Sequence, residues 1–145
     1  MNTLHLVLGV AVVALNLLAG AWGGVAWLRR RPSVSFWYML RAAQVAVVLQ
    51  VVAGGILVLL GREPEDGLHY VYGIAPLLVT LLAEGARAGA ADRELGGQVD
   101  FQSLPRERQR LVALAIVRRE MGIMTLSALV IFLLALRAAG TSYAF

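Results

Sequence analysis

Four stretches of this chain are continuous apolar runs long enough to cross the roughly 30 Å hydrocarbon core of a bilayer. They are Leu4 to Leu28, Phe36 to Leu60, Leu68 to about Leu82 with a helical extension to about residue 87, and Met121 to Ala138. With 59% hydrophobic residues and a mean hydropathy of +0.74, the chain reads as a single integral membrane domain over residues 1–145. The runs are expected to be helical, because lipid offers no partner for backbone N–H and C=O groups and the runs lack the alternation of a barrel. Short connections at Pro32-Ser33 and at Gly61 to Gly67 force antiparallel neighbours. The expected fold is therefore an all-α, up-down-up-down four-helix bundle.

Charge sets the expected orientation. All 13 basic residues are arginine. Arg62 and Arg137 fall at one end of the helices. The other eleven (Arg29, Arg30, Arg31, Arg41, Arg87, Arg93, Arg106, Arg108, Arg110, Arg118 and Arg119) fall at the opposite end. The positive-inside rule makes that second end cytoplasmic and puts both termini outside, as in a multi-pass protein of the inner (plasma) membrane. The first run does not read as a cleaved signal, since no basic residue precedes it and Arg29-Arg30-Arg31 follows it directly. The high pI of about 10.3 is thus an orientation signal and a contact with anionic lipid, with no nucleic-acid partner implied. Aromatic residues agree. Trp22, Trp27, Trp37 and Tyr38 gather at the arginine-rich end, and Tyr70, Tyr72, Tyr143 and Phe145 at the other.

The one long connection, about residues 88–119, passes a Gly96-Gly97 break and restarts at Ser103 with Pro105 in the first turn of a new helix. Its apolar stretch Leu111 to Val117, set between arginines, suits a helix on the cytoplasmic membrane surface or one leading into the fourth span. The Gly61 to Gly67 loop is acidic, carrying Glu63, Glu65 and Asp66.

Absences exclude much chemistry. Without cysteine there is no disulfide, iron–sulfur cluster or covalent c-type haem, and without lysine no retinal Schiff base. No carboxylate sits near the middle of a span, so a proton relay lacks its usual carriers. Glu84 comes closest, and its neighbour Arg87 points to structural pairing. The remaining intramembrane polar residues are Asn16, Gln44, Gln50, Thr80 and two histidines, the former read as interhelical hydrogen-bonding glue.

The histidines carry a pattern. His5-Leu-Val-Leu-Gly9 opens the first run and His69-Tyr-Val-Tyr-Gly73 the third, an offset of 64 (69 minus 5) that also aligns Ala11 with Ala75, Asn16 with Thr80, and Leu17-Leu18-Ala19 with Leu81-Leu82-Ala83. Such self-similarity indicates two similar helical hairpins. It sets His5 and His69 at equal depth on diagonal helices. Gly9 and Gly73 lie one turn along on the same faces, leaving room for a flat ring. Gly54-Gly55 and Gly122 offer further thin places. Two imidazoles do not complete a zinc site, but they suffice for a haem b, which brings four nitrogens of its own. Its propionates would meet Arg62 and Arg137, the only cations at that end.

The His5 to His69 spacing, and the order Gln44, Gln50, Gly54-Gly55 and then a histidine near the start of the next span, resemble the four-helix halves of the heme A synthase family. The resemblance covers about the first three helices and implies two histidines presented to a haem from the outer ends of alternate helices. The chain departs from the family where Leu6 and Tyr70 follow the histidines in place of arginine, and where only Asp66 stands as an acidic residue a turn before a histidine. Haem ligation by His5 and His69 carries over on this likeness; oxidation of a haem methyl group does not. Three function classes stay open: a b-type electron-transfer protein or haem-carrying subunit of a respiratory assembly, a compact haem-modifying enzyme, and a cofactor-free structural subunit. Each implies membrane lipid around the chain and a protein partner or homo-oligomer in the membrane.

Overall fold

The computed structural model describes residues 3–62, 64, 66–96 and 100–142, the side chain of Ser142 excepted. Glu63, Glu65, Gly97, Tyr143 and Phe145 lie outside the described residues. The elements are α1 (Thr3–Leu28), α2 (Val34–Leu59), α3 (Leu68–Ala88), α4 (Ala90–Leu95), a 3₁₀ turn (Phe101–Ser103) and α5 (Arg106–Ser142). Among the described residues the protein is all-helical, and four of its helices are long and apolar enough to cross a membrane. Their outer faces carry exposed Leu4, Val7, Leu49, Leu82 and Leu133, a surface suited to acyl chains.

Local chemistry explains the starts and stops. Ser33 caps α2: its hydroxyl accepts from the Phe36 N–H at 3.3 Å and from the Trp22 indole at 2.9 Å, so the tight turn is tied to both helices it joins. Asp66 accepts from the Leu68 N–H at 2.9 Å and so opens α3. Its carboxylate therefore caps the helix that carries His69. Pro76 lies buried inside α3, where it removes one backbone donor.

Of the two arrangements expected for the segment after Pro105, a surface helix or one leading into the fourth span, the structure has the second: the segment is the beginning of α5. No glycine or proline lies between Arg106 and Met121 to interrupt it, and 37 residues run as one helix. At 1.5 Å per residue that is about 55 Å, well beyond the hydrocarbon thickness. Of the charges at Arg118, Arg119 and Glu120, which resemble a span boundary in the sequence, two are accommodated by pairing: Arg119 meets Glu94 of α4 at 2.8 Å and Glu120 lies 3.7 Å from Arg87.

Helix α5 is the axis of the packing, with 44% of its most apolar window buried against 17–22% in the others. It lies against α1 and α3, α1 also lies against α2, and α2 and α3 meet only loosely. Small residues set the α1 crossing. A Cβ on Gly20 would stand 2.5 Å from Leu129, one on Gly23 would stand 2.5 Å from the fully buried Phe36 ring, and one on Gly122 would stand 2.9 Å from the Trp27 indole. Gly122 therefore seats a tryptophan at the arginine-rich end and offers no thin place near the histidines. The core proper, with Phe36, Leu40, Met121, Met124 and Ala128, sits in that same half. Asn16 and Thr80, matched by the repeat, behave alike: each bonds its own helix's carbonyl four residues back, Val12 and Pro76, at 2.8 Å. They are not interhelical partners.

The crossing gives a stability prediction. Gly23→Ala forces a methyl into Phe36 and Thr125 and is expected to destabilise the fold by about 1–3 kcal/mol, as overpacking does. Gly55→Ala meets nothing within 4 Å and should be neutral or mildly stabilising through helix propensity. Thermal melting in one detergent checks the pair, and equal melting temperatures would contradict the crossing.

Candidate functional site

His5 in the second turn of α1 and His69 at the start of α3 come together across the helices, with ring centres 6.0 Å apart and planes tilted by 59°. The 64-residue offset works because α1 and α2 each span 26 residues and their turns are short, so α3 starts at the level at which α1 started. Contacts fix that level: Gly54 near the end of α2 lies against His5, and Ala138 and Thr141 near the end of α5 meet His69.

The two rings are held differently. His69 Nδ1 lies 3.1 Å from the Ala138 carbonyl oxygen and 3.3 Å from the Thr141 hydroxyl. A carbonyl only accepts, so Nδ1 carries the proton and the ring's lone pair sits on Nε2. Thr141 in turn donates to Ala138 at 2.7 Å, which stiffens the helix end that grips the ring. This support of one imidazole nitrogen by a backbone carbonyl is the arrangement that orients metal-ligating histidines. His5 meets Gln50 of α2, Nε2 to Nε2, at 3.2 Å, with the amide donating. The other ring nitrogen, His5 Nδ1, is buried with no hydrogen-bond partner, and so is Gln50 Oε1.

Glycines shape this layer. A Cβ on Gly54 would stand 3.2 Å from His5 Cε1, so α2 gives way where the imidazole lies. Gly9 admits the Gln50 amide, whose Nε2 would lie 3.2 Å from an added Cβ, and is thus already filled by protein. Gly73 and Gly55 have nothing within 4 Å. Packing thins here. Val12, Val47, Pro76 and Ile131 are buried, yet none of residues 3–11, 48–60, 68–75 or 132–140 is. An apolar groove of about 300 Å³ runs beside His5 between α1 and α2, lined by Leu4, Leu8, Leu49, Val52 and Ile56.

Arg137 is exposed with its guanidinium 5.7 Å from the centre of the Tyr72 ring, one helical turn from His69. Arg62 is exposed at the end of the α2 turn. Neither touches the imidazoles. At the opposite end Glu84 accepts from Arg41 at 2.6 Å, from Gln44 at 2.7 Å and from Arg87 at 2.8 Å, a clamp across the loose α2 and α3 seam. Glu84 is thus committed to structural pairing.

Two rings on opposite sides of one ion have centres about 6 Å apart, given nitrogen–metal bonds of about 2 Å. No group of three His, Cys, Asp or Glu side chains stands together among the described residues, so protein atoms alone do not close a coordination sphere. Sequence reasoning finds the two histidines, Gln50 and Gly54; it misses the Ala138 carbonyl and Thr141, because a backbone acceptor has no residue-type signal. Comparison with protein-family models, with curated proteins and with solved structures finds no match.

Proposed function

We propose that the protein binds one b-type haem in a membrane, with His5 and His69 as axial ligands, and that it serves electron transfer or carries haem within a respiratory assembly. The observation that carries the reading is the 6.0 Å approach of the only two histidines, one from α1 and one from α3. A haem bound there supplies a one-electron couple. The chain's own residues would do the rest. Ala138 and Thr141 orient His69, Gly54 makes space for the His5 ring and the apolar groove excludes water, while the Gln50 amide would have to turn away from His5 Nε2 to release its lone pair to the iron. Arg62 and Arg137 are the nearby cations for propionates. Haem near one face calls for a partner protein or a second copy of the chain at that face.

A purely structural role for the histidines explains the Gln50 and Ala138 hydrogen bonds. It leaves His5 Nδ1 and Gln50 Oε1 buried and unpaired, at about 1–3 kcal/mol each. The likeness to heme A synthase halves supports ligation and says nothing of catalysis. Purification in mild detergent followed by absorption spectroscopy tests the proposal. A Soret band with a low-spin reduced spectrum and about one haem per chain is the expected result; a preparation without haem that also fails to take up added hemin overturns it.

The same reading places the helices up-down-up-down in the plasma membrane, with both ends and the histidines outside and the arginine-rich end in the cytoplasm. In sealed right-side-out vesicles, protease should leave residues 89–105 intact and should cut them once the vesicles are opened. Cleavage in the sealed state would reverse the orientation and move the histidines to the inner face.

A further inference from the structure

At the arginine-rich end a second cavity, of about 260 Å³, lies between the end of α1 and the Leu114 to Met121 stretch of α5. Its floor is apolar, with Trp27, Leu114 and Met121, and Arg30, Arg31 and Arg118 line it. The arginines that serve the fold are elsewhere: Arg41 and Arg87 pair with Glu84, and Arg119 pairs with Glu94. Arg30, Arg31 and Arg118 have no acidic partner among the described residues. Three uncompensated guanidiniums over an apolar trough at the level of an interfacial tryptophan form an amphipathic receptor.

The backbone gives an independent sign. Helix α1 ends in a reversal in which the Arg31 N–H reaches Ala26 O and the Arg30 N–H reaches Trp27 O, both at 3.0 Å, and Arg30 sits at φ 54. That left-handed position is the one glycine normally fills, since a Cβ there is strained. Arg30 is the only non-glycine residue with positive φ among the described residues. Holding an arginine there sets Arg30 and Arg31 beside the cavity at a cost to the turn.

We infer that this cavity binds the head of an anionic phospholipid, its phosphate among Arg30, Arg31 and Arg118 and the start of an acyl chain on the Trp27, Leu114 and Met121 floor. Charge complementarity selects the anion, and the apolar floor selects a lipid over a free phosphate. The site stands apart from the histidines and does not depend on haem.

Titration of the detergent-purified protein with phosphatidylglycerol, phosphatidylcholine and inorganic phosphate, read by thermal shift and by native mass spectrometry, tests it. At the usual contribution of a basic residue near an anionic surface, each arginine is worth about 5-fold in affinity and three about 100-fold. Phosphatidylglycerol should therefore bind roughly 100-fold tighter than phosphatidylcholine, and inorganic phosphate should not compete. The triple variant R30Q/R31Q/R118Q should lose that preference, while R106Q/R108Q/R110Q, with the same loss of charge elsewhere, keeps it. Ala115→Phe fills the trough without touching charge and should also weaken binding. Arg30→Gly separates site from fold: it relieves the turn, so the lipid-free melting temperature holds or rises while phosphatidylglycerol affinity falls about 5-fold. Equal binding of both lipids, full competition by phosphate, or equal losses in the two triple variants would overturn the assignment.

Discussion

Replacing either His5 or His69 by alanine should abolish the six-coordinate low-spin spectrum and leave high-spin or haem-depleted protein, to a similar degree for the two positions. Similar spectral loss follows from axial ligation, since one missing nitrogen opens the coordination sphere from either side. Stability of the haem-free forms should respond unequally. His5→Ala removes the acceptor of the Gln50 amide, whose Oε1 is already buried without a partner, and is expected to cost about 1–3 kcal/mol. His69→Ala leaves the Ala138 carbonyl still bonded to Thr141 at 2.7 Å and should cost less. Spectra and melting curves of the two variants side by side thus separate ligation from packing. If both retain low-spin spectra, His5 and His69 are not the ligands.

The meeting of the histidines is legible in the sequence because it depends only on lengths: two apolar runs of similar length and two short turns return the third helix to the level of the first. The asymmetry of the site is not. Gly9 and Gly73 are equivalent in the repeat, yet Gly9 is filled by Gln50 and Gly73 faces open space, because helix α2 lies close to α1 and only loosely against α3. Helix rotation decides which side chain enters a gap, and apolar runs surrounded by lipid carry little periodicity from which to read rotation. The start of α5 beside Pro105 is legible, but its unbroken run into the fourth span is less so. Arg118, Arg119 and Glu120 look like a membrane boundary until α4 and Arg87 supply partners for two of them.

The two ends of the molecule divide the physical tasks. Large buried side chains, the glycine crossings and the ion pairs concentrate at the arginine-rich end, whereas the histidine layer has few buried residues and two unpaired polar atoms beside His5. A site that must admit a flat ligand is expected in the less tightly packed part of a fold, where opening costs least. On the proposed reading, the tight end keeps the helices in register while the other end admits the haem.

That division makes Gly54 the position where a substitution should do most to ligand binding without removing a ligand. A Cβ there would stand 3.2 Å from His5 Cε1 and 3.8 Å from Nδ1, so the two methyls of valine reach into the imidazole. Because α2 is fixed at its other end by the buried Phe36, Leu40 and Val47, the helix cannot back away as a unit, and the imidazole must turn or withdraw. At the usual overpacking cost of about 1–3 kcal/mol, Gly54→Val should weaken haem binding by roughly 5- to 150-fold. Gly55→Val makes the same chemical change one residue along, where nothing lies within 4 Å, and serves as the control for helix propensity and membrane insertion. Hemin titration of the two purified apoproteins, with the low-spin band as readout, should show a weak or high-spin complex for Gly54→Val and a normal one for Gly55→Val. Equal affinities would mean that His5 does not hold haem in the place where it lies against α2.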